Sequence, residues 1–243
     1  MTNRISAGSF DLNKWLEGGY EKGVITMIAG PPGSGKTNFV ISASCSQGKK
    51  GKKVIFIDTE GGFSVERVKQ IAGDSSEEIL KNIFLMEPTC FEEQKKCFLN
   101  LLGKIKKEHI NLIVIDGMAM LYRLELGDAV KIKSEEKIKE VNREVAKQMR
   151  ALAEISRKQG IPIIITNQVY SKGFLSEEEW KKGAERETNI VGGDLFKYWS
   201  KCIIELKNEK GKRKAILLKH RNISERELNF EIKEKGIFKR GWI

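Results

Sequence analysis

Five short stretches of the chain are almost continuously apolar: VITMIA at 24–29, VIFID at 54–58, IFLM at 83–86, LIVID at 112–116 and IPIIIT at 161–166. None alternates as a strand with one wet face does. They therefore predict strands buried on both sides, as in a parallel sheet covered by helices. Longer stretches of helical period lie between them. In residues 134–159, Ile138, Val141, Val145, Met149 and Leu152 recur every three or four positions and so share one face. Ser134 supplies an N-cap for that helix, and Gly160 with Pro162 closes it. Residues 91–108 predict a second long helix. After about Gly193 the runs shorten. CIIELK at 202–207, a polar NEKG turn, RKAILLK at 213–219 and the alternating ELNFEI at 227–232 predict antiparallel strands. The order is that of an α/β fold, with a mostly parallel central sheet flanked by helices and extended at one edge by C-terminal antiparallel strands. The tail is too short for a core of its own, so residues 1–243 are read as one domain.

Charge adds a partner class. Lys and Arg number 44 against 33 Asp and Glu, a formal net charge of +11. Such an excess suits a polyanion, although a Lys- and Glu-rich surface also marks heat-adapted proteins. The four cysteines, Cys45, Cys90, Cys97 and Cys202, form no CxxC pair, which argues against structural zinc and against a disulfide framework. No apolar run approaches the ~20 residues of a membrane span, and the first residues lack a signal-peptide core. These features predict a cytoplasmic protein with no membrane partner.

The chemistry is concentrated at strand ends. GPPGSGKT at 30–37 fits the P-loop pattern GxxxxGK[ST], and it follows one predicted strand and opens a predicted helix at 36–45. Gly30, Gly33 and Gly35 allow backbone torsions that turn N–H groups inward around phosphate oxygens, with Pro31, Pro32 and Ser34 between them. Lys36 places a charge at the β- and γ-phosphates, Thr37 offers a hydroxyl to Mg²⁺, and Asn38 continues the helix whose N-terminus faces the anion. A nucleotide's phosphate chain with Mg²⁺ is the expected ligand. Asp116 ends the fourth apolar strand, where a Walker B aspartate would hold the metal's water shell. In FIDTEGG, Asp58 and Glu60 end the strand after the P-loop helix. Glu60 is either the carboxylate that activates the attacking water or a turn residue before Gly61 and Gly62. Gln168, in TNQV at 166–169, is either a polar strand end or a reporter of the γ-phosphate.

Together these segments resemble the RecA/RadA recombinase superfamily. ISAGSFDLNKWLEGGYEKGVITMIAGPPGSGKT, FIDTEGGFSVERV, LIVIDGMAMLYR, ITNQVY, VGGDLFKYWSKCIIEL and KHRNIS fall in that family's order across almost the whole chain. The resemblance implies a RecA-like ATPase core in which Glu60 is the catalytic carboxylate, Asp116 the Walker B residue, Gln168 the γ-phosphate sensor and Arg67 a partner of adenine. It also implies two DNA-facing loops, after Tyr122 and after Tyr170. The N-terminal helix-hairpin-helix domain and the FxxA tether of RadA proteins have no counterpart in the sequence. The implied role is thus an accessory to a RadA-type recombinase, a slow Mg²⁺-dependent ATPase that binds DNA, expected single-stranded, and forms homo-oligomers at most without that tether. A KaiC-like signalling ATPase or kinase, or a nucleotide-gated adaptor with negligible turnover, are the alternatives.

Three features bear on that choice. The second loop balances Lys172, Lys181, Lys182 and Arg186 against Glu177, Glu178, Glu179, Glu185 and Glu187, which argues against strong DNA gripping there. Tyr170, Phe174 and Trp180 are read either as stacking platforms for bases or as core. The basic excess lies instead in residues 207–221, either a solvated hairpin or a phosphate contact. Lys219 and Arg221, two apart on a strand, resemble the KxR pair that KaiC-like and helicase relatives extend to a neighbouring subunit's γ-phosphate. Edge-strand charge is the other reading.

Overall fold

A computed structural model describes residues 3–171, 188–209 and 211–241. Each of the five apolar stretches is a strand. These are β3 (Ile25–Gly30), β4 (Lys53–Asp58), β5 (Ile83–Met86), β6 (Ile110–Asp116) and β7 (Ile163–Ser171). They join β9 (Ser200–Glu209), β10 (Lys212–Lys219), β11 (Arg226–Lys233) and β12 (Gly236–Lys239) in one sheet of order β12-β11-β10-β9-β3-β7-β6-β4-β5. Two-residue strands β1 (Arg4–Ile5) and β2 (Tyr20–Glu21) pair separately, and β8 (Thr188–Ile190) runs antiparallel to β7.

The alternation within each buried strand divides the core in two. Ile28, Val54, Phe56, Val114 and Ile164 face one layer, with Phe39, Val40 and Ala43 of α2 (Lys36–Gly48). Met27, Ile55, Ile57, Ile115 and Ile165 face the other, with Phe98 and Leu101 of α5 (Phe91–Lys107) and the apolar face of α7 (Glu135–Gln159). Val141, Val145, Met149 and Leu152 are buried on that face, as the spacing predicts. Ser134 caps α7 by accepting from the Lys137 N–H at 3.3 Å, and Gly160 ends it in the left-handed conformation. Helices α1 (Phe10–Trp15), α3 (Val65–Ala72), α4 (Ser76–Lys81), α6 (Met120–Lys131) and α8 (Asp194–Trp199) complete the described residues.

Three expectations change. The strand expected to begin an antiparallel tail, β9, instead lies parallel to β3 and antiparallel to β10, so it is the hinge between the two halves of the sheet. The segment after Tyr122 is not a loop. Tyr122 lies inside α6, buried, and its hydroxyl donates to Asn142 Oδ1 at 2.6 Å. Pairing between β9 and β10 shifts register between Leu217 and Lys219, and the strand ends there, so Lys219 and Arg221 do not share a strand face. Tyr170 is exposed near the end of β7, whereas Lys172, Phe174, Trp180, Lys181, Lys182 and Arg186 lie outside the described residues.

Candidate functional site

Parallel strands bring their carboxyl ends to one edge, and in this sheet β3, β4, β6 and β7 end side by side. The loop after β3 runs directly into α2. Gly35 is its N-cap at φ +109°, a backbone conformation that favours glycine. Ser34 beneath the loop is fully buried, with its hydroxyl oxygen unpartnered. Lys36 is also buried. Its Nζ donates to the carbonyls of Gly30 (2.9 Å) and Pro31 (3.1 Å), bonds that hold the ammonium at the mouth of the loop. Burial lowers the Lys36 pKa, opposed by the nearby carboxylates of Glu60 and Asp116.

Asp116 forms the floor. It is completely buried, accepts the Thr37 hydroxyl at 2.8 Å on one oxygen and the Thr166 hydroxyl on the other, and burial pushes its carboxyl up to about 6. The two hydroxyl bonds pull it back down, and Asp58 and Glu60 add to the rise. Thr166 in turn accepts the Gly117 N–H at 2.7 Å, which fixes the hydroxyl as a donor to Asp116. Asp58 does not face this cleft chemically. Its carboxylate accepts the N–H groups of Glu60, Gly61 and Phe63 at 3.0, 2.9 and 2.7 Å, and so shapes the turn that presents Glu60. Thr59 ties the same turn to β6 through the carbonyls of Asp116 (3.0 Å) and Gly117 (2.8 Å).

Glu60 is exposed, and the Gln168 amide donates to both its oxygens at 3.2 and 3.3 Å. Pro32, Gly33, Gly35, Lys36, Thr37, Asn38, Glu60 and Gln168 line one cleft of about 450 Å³, joined by Arg213 and Ile232 from the C-terminal strands. Arg67 stands at its edge. Its Nε donates to Asn38 Oδ1 at 2.7 Å, and its Nη atoms reach the Lys233 and Glu234 carbonyls at 2.8 and 3.0 Å. That guanidinium therefore connects α3, the P-loop helix and the turn between β11 and β12.

Lys219 and Arg221 stand elsewhere. Lys219 pairs with Ile203 at the opposite end of the sheet and donates to the Lys197 carbonyl at 3.0 Å. Arg221 holds buried Glu21 at 2.5 Å, and His220 turns to the same carboxylate at 3.8 Å rather than away. Neither cation reaches the P-loop of its own chain.

Thr59, Gly117, Thr166 and Arg213 are the cleft residues that motif reading misses. Position at a predicted strand end is a signal for the first three. For Arg213 the signal is strand alternation.

A hard cation fits the donors present. The Thr37 hydroxyl and the Asp116 carboxylate are oxygen ligands 2.8 Å apart, and a buried carboxylate held near 6 gains a counter-charge when a divalent ion arrives. A phosphate chain fits the loop above them, where backbone N–H groups, the α2 N-terminus and Lys36 converge. Fold and site together define a P-loop protein with a RecA-like sheet. Residues 2–240 match the Rad51 family. The chain is 40% identical over 231 residues to the DNA repair and recombination protein RadB of Methanobrevibacter smithii, covering 93% of this chain and 92% of that protein. It is 40% identical over 226 residues to RadB of Methanocaldococcus jannaschii (93% and 98% covered), and 35% identical over 240 residues to RadB of Methanothermobacter thermautotrophicus (97% and 96% covered). The chain belongs to the Rad51 family. No helix among the described residues is long and apolar enough to cross a membrane.

Proposed function

We propose that this protein binds ATP with Mg²⁺ in the P-loop cleft, hydrolyses it slowly, and acts on DNA in repair and recombination as an accessory to a recombinase. The observation that carries this reading is that Lys36, Thr37, Glu60 and Gln168, from three different strand ends, line one cleft, with Asp116 from a fourth bonded to Thr37 beneath it. Thr37 and Asp116 would hold Mg²⁺, which would supply neutralisation of the charge that develops on the phosphates. Glu60 would accept the proton of the attacking water, and Gln168, already bonded to Glu60, would hold that water in line. Arg67, bonded to Asn38 at the edge of the cleft, would border the base.

DNA would lie against the C-terminal strands. Lys207, Lys212 and Lys214 share one face of β9 and β10, and with Arg213, Lys239 and Arg240 they outnumber Glu209 and Glu227 along a groove of about 560 Å³. Repair and recombination are the processes named for the RadB proteins of similar sequence, and the fit of this chain's length to theirs supports extending that role to it. Lys219 and Arg221 would meet a phosphate only in an assembly of two or more copies. ATP turnover with and without single-stranded DNA tests the reading. Wild-type protein should release phosphate above background, and Glu60→Gln should retain ATP while losing about a hundredfold or more in turnover. Equal turnover in the variant would return Glu60 to a turn role, and autophosphorylation would indicate a kinase.

A further inference from the structure

The basic run RKAILLK looks like one patch in sequence, but strand geometry divides it. Successive side chains of a strand point to opposite faces. Lys212 pairs with Glu209 and Lys214 with Lys207, and these residues line the outer groove. Arg213 pairs with Asn208 on one side and Phe230 on the other, and cross-strand partners share a face. That face is the inner one. Phe230 is buried and packs edge-on against Phe39 of α2 at 5.2 Å, and Asn208 Nδ2 reaches the Gly33 carbonyl at 3.5 Å. Arg213 thus comes to the rim of the P-loop cleft from the side opposite Glu60 and Gln168.

Its polar group is incompletely satisfied there. Arg213 is half-buried, its Nε is fully buried without a hydrogen-bond partner, and it makes no ion pair among the described residues. A guanidinium taken partly out of water requires an anion, and the one carboxylate lining this cleft, Glu60, is bonded to Gln168 instead. The complementary anion for a planar fork of donors is a phosphate group.

We propose that Arg213 is a phosphate-binding residue of the nucleotide site, contributed by the same chain as the P-loop and directed at the β- and γ-phosphates. The proposal rests on the reading of the cleft as an ATP site. Arg213 also borders the groove that Lys207, Lys212 and Lys214 line, but its cross-strand partners Asn208 and Phe230 put its side chain on the face opposite theirs.

The test is competition of ATP, ADP and AMP against a fluorescent ATP analogue on full-length wild type, Arg213→Gln and Arg213→Lys. Loss of one bidentate charge-assisted contact should weaken ATP and ADP binding about tenfold or more in Arg213→Gln, with AMP changed less than twofold. Arg213→Lys, which keeps the charge but not the fork, should recover part of that loss. A uniform loss across all three nucleotides would assign Arg213 to packing or to the base and overturn the proposal, as would ATP affinity within twofold of wild type in Arg213→Gln. If Arg213→Gln does not fold, Arg213→Lys decides: selective weakening of ATP and ADP supports the proposal, and unchanged affinities overturn it. Wild type that binds no ATP would instead refute the ATP site itself.

Discussion

The floor of the cleft is held at a cost that can be measured. Asp116 is completely buried, and its carboxyl sits at about 6 against an ordinary 3.8. At 1.36 kcal/mol per pH unit, ionising it in the folded protein costs about 3 kcal/mol of stability at neutral pH. The sign follows from where the protons are. Below about pH 4 the group is protonated both folded and unfolded, and nothing is lost. Between about 4 and 6 the unfolded chain releases its proton first, so wild-type stability falls as pH rises. Above about 6 the whole cost is present. Asp116→Asn removes the charge and keeps the shape. Its amide oxygen would accept from Thr166, whose hydroxyl is fixed as a donor by Gly117, and its NH₂ would face the Thr37 hydroxyl. The value of about 6 already includes the pull of those two hydroxyl bonds, so the net gain is about 3 kcal/mol. Urea denaturation in EDTA at pH 7.5 should therefore place the variant's midpoint about 1 M or more above wild type, and the difference should shrink to about 1 kcal/mol at pH 4.5. Adding Mg²⁺ and ATP should reverse the order, because ligand stabilises only the protein that binds it. A variant less stable than wild type in EDTA, or a difference independent of pH, would refute the claim that burial strains this carboxylate.

Two further outcomes follow from the same geometry. Replacing Lys207, Lys212 and Lys214 with glutamine should make the fall of DNA affinity with salt shallower by about two in log–log slope, read by fluorescence anisotropy with a single-stranded oligonucleotide. An unchanged slope would place DNA elsewhere. Arg221→Ala leaves buried Glu21 without its cation and should cost about 1–2 kcal/mol, tempered by the exposure of the arginine, so Tm should fall by about 3–6 °C. Adding Glu21→Gln should recover part of that loss. No change in Tm would free Arg221 for another role.

What was legible from the chain is what is contiguous in it. Strands buried on both faces announce themselves as unbroken apolar runs, and the P-loop's residues are neighbours in sequence, so both were readable. Glu60, Asp116 and Gln168 were readable as strand ends, since parallel strands collect their ends at one edge. Their couplings were not. Thr166 steadying Asp116, and Asp58 shaping the turn under Glu60, depend on which strands are adjacent, and sequence order does not state that β6 lies between β7 and β4. For the same reason CIIELK gave no sign that β9 would pair parallel to β3. Family resemblance implies a loop after Tyr122, but MLYRLELGDAVK is rich in helix formers, and its Tyr122 hydroxyl finds Asn142 on α7. The pair Lys219 and Arg221 failed on a local irregularity: a register shift at the strand end that residue spacing does not reveal.

Titration calorimetry of ATP into the full-length protein and into Lys36→Ala, with Mg²⁺ and then with EDTA, tests the central claim most directly. The account predicts one ATP per wild-type chain, bound at least tenfold more tightly with Mg²⁺ because Thr37 and Asp116 engage the metal, and binding lost in Lys36→Ala because the charge facing the terminal phosphates is gone. Wild-type affinity indifferent to Mg²⁺, or undiminished in a folded Lys36→Ala protein, would contradict it.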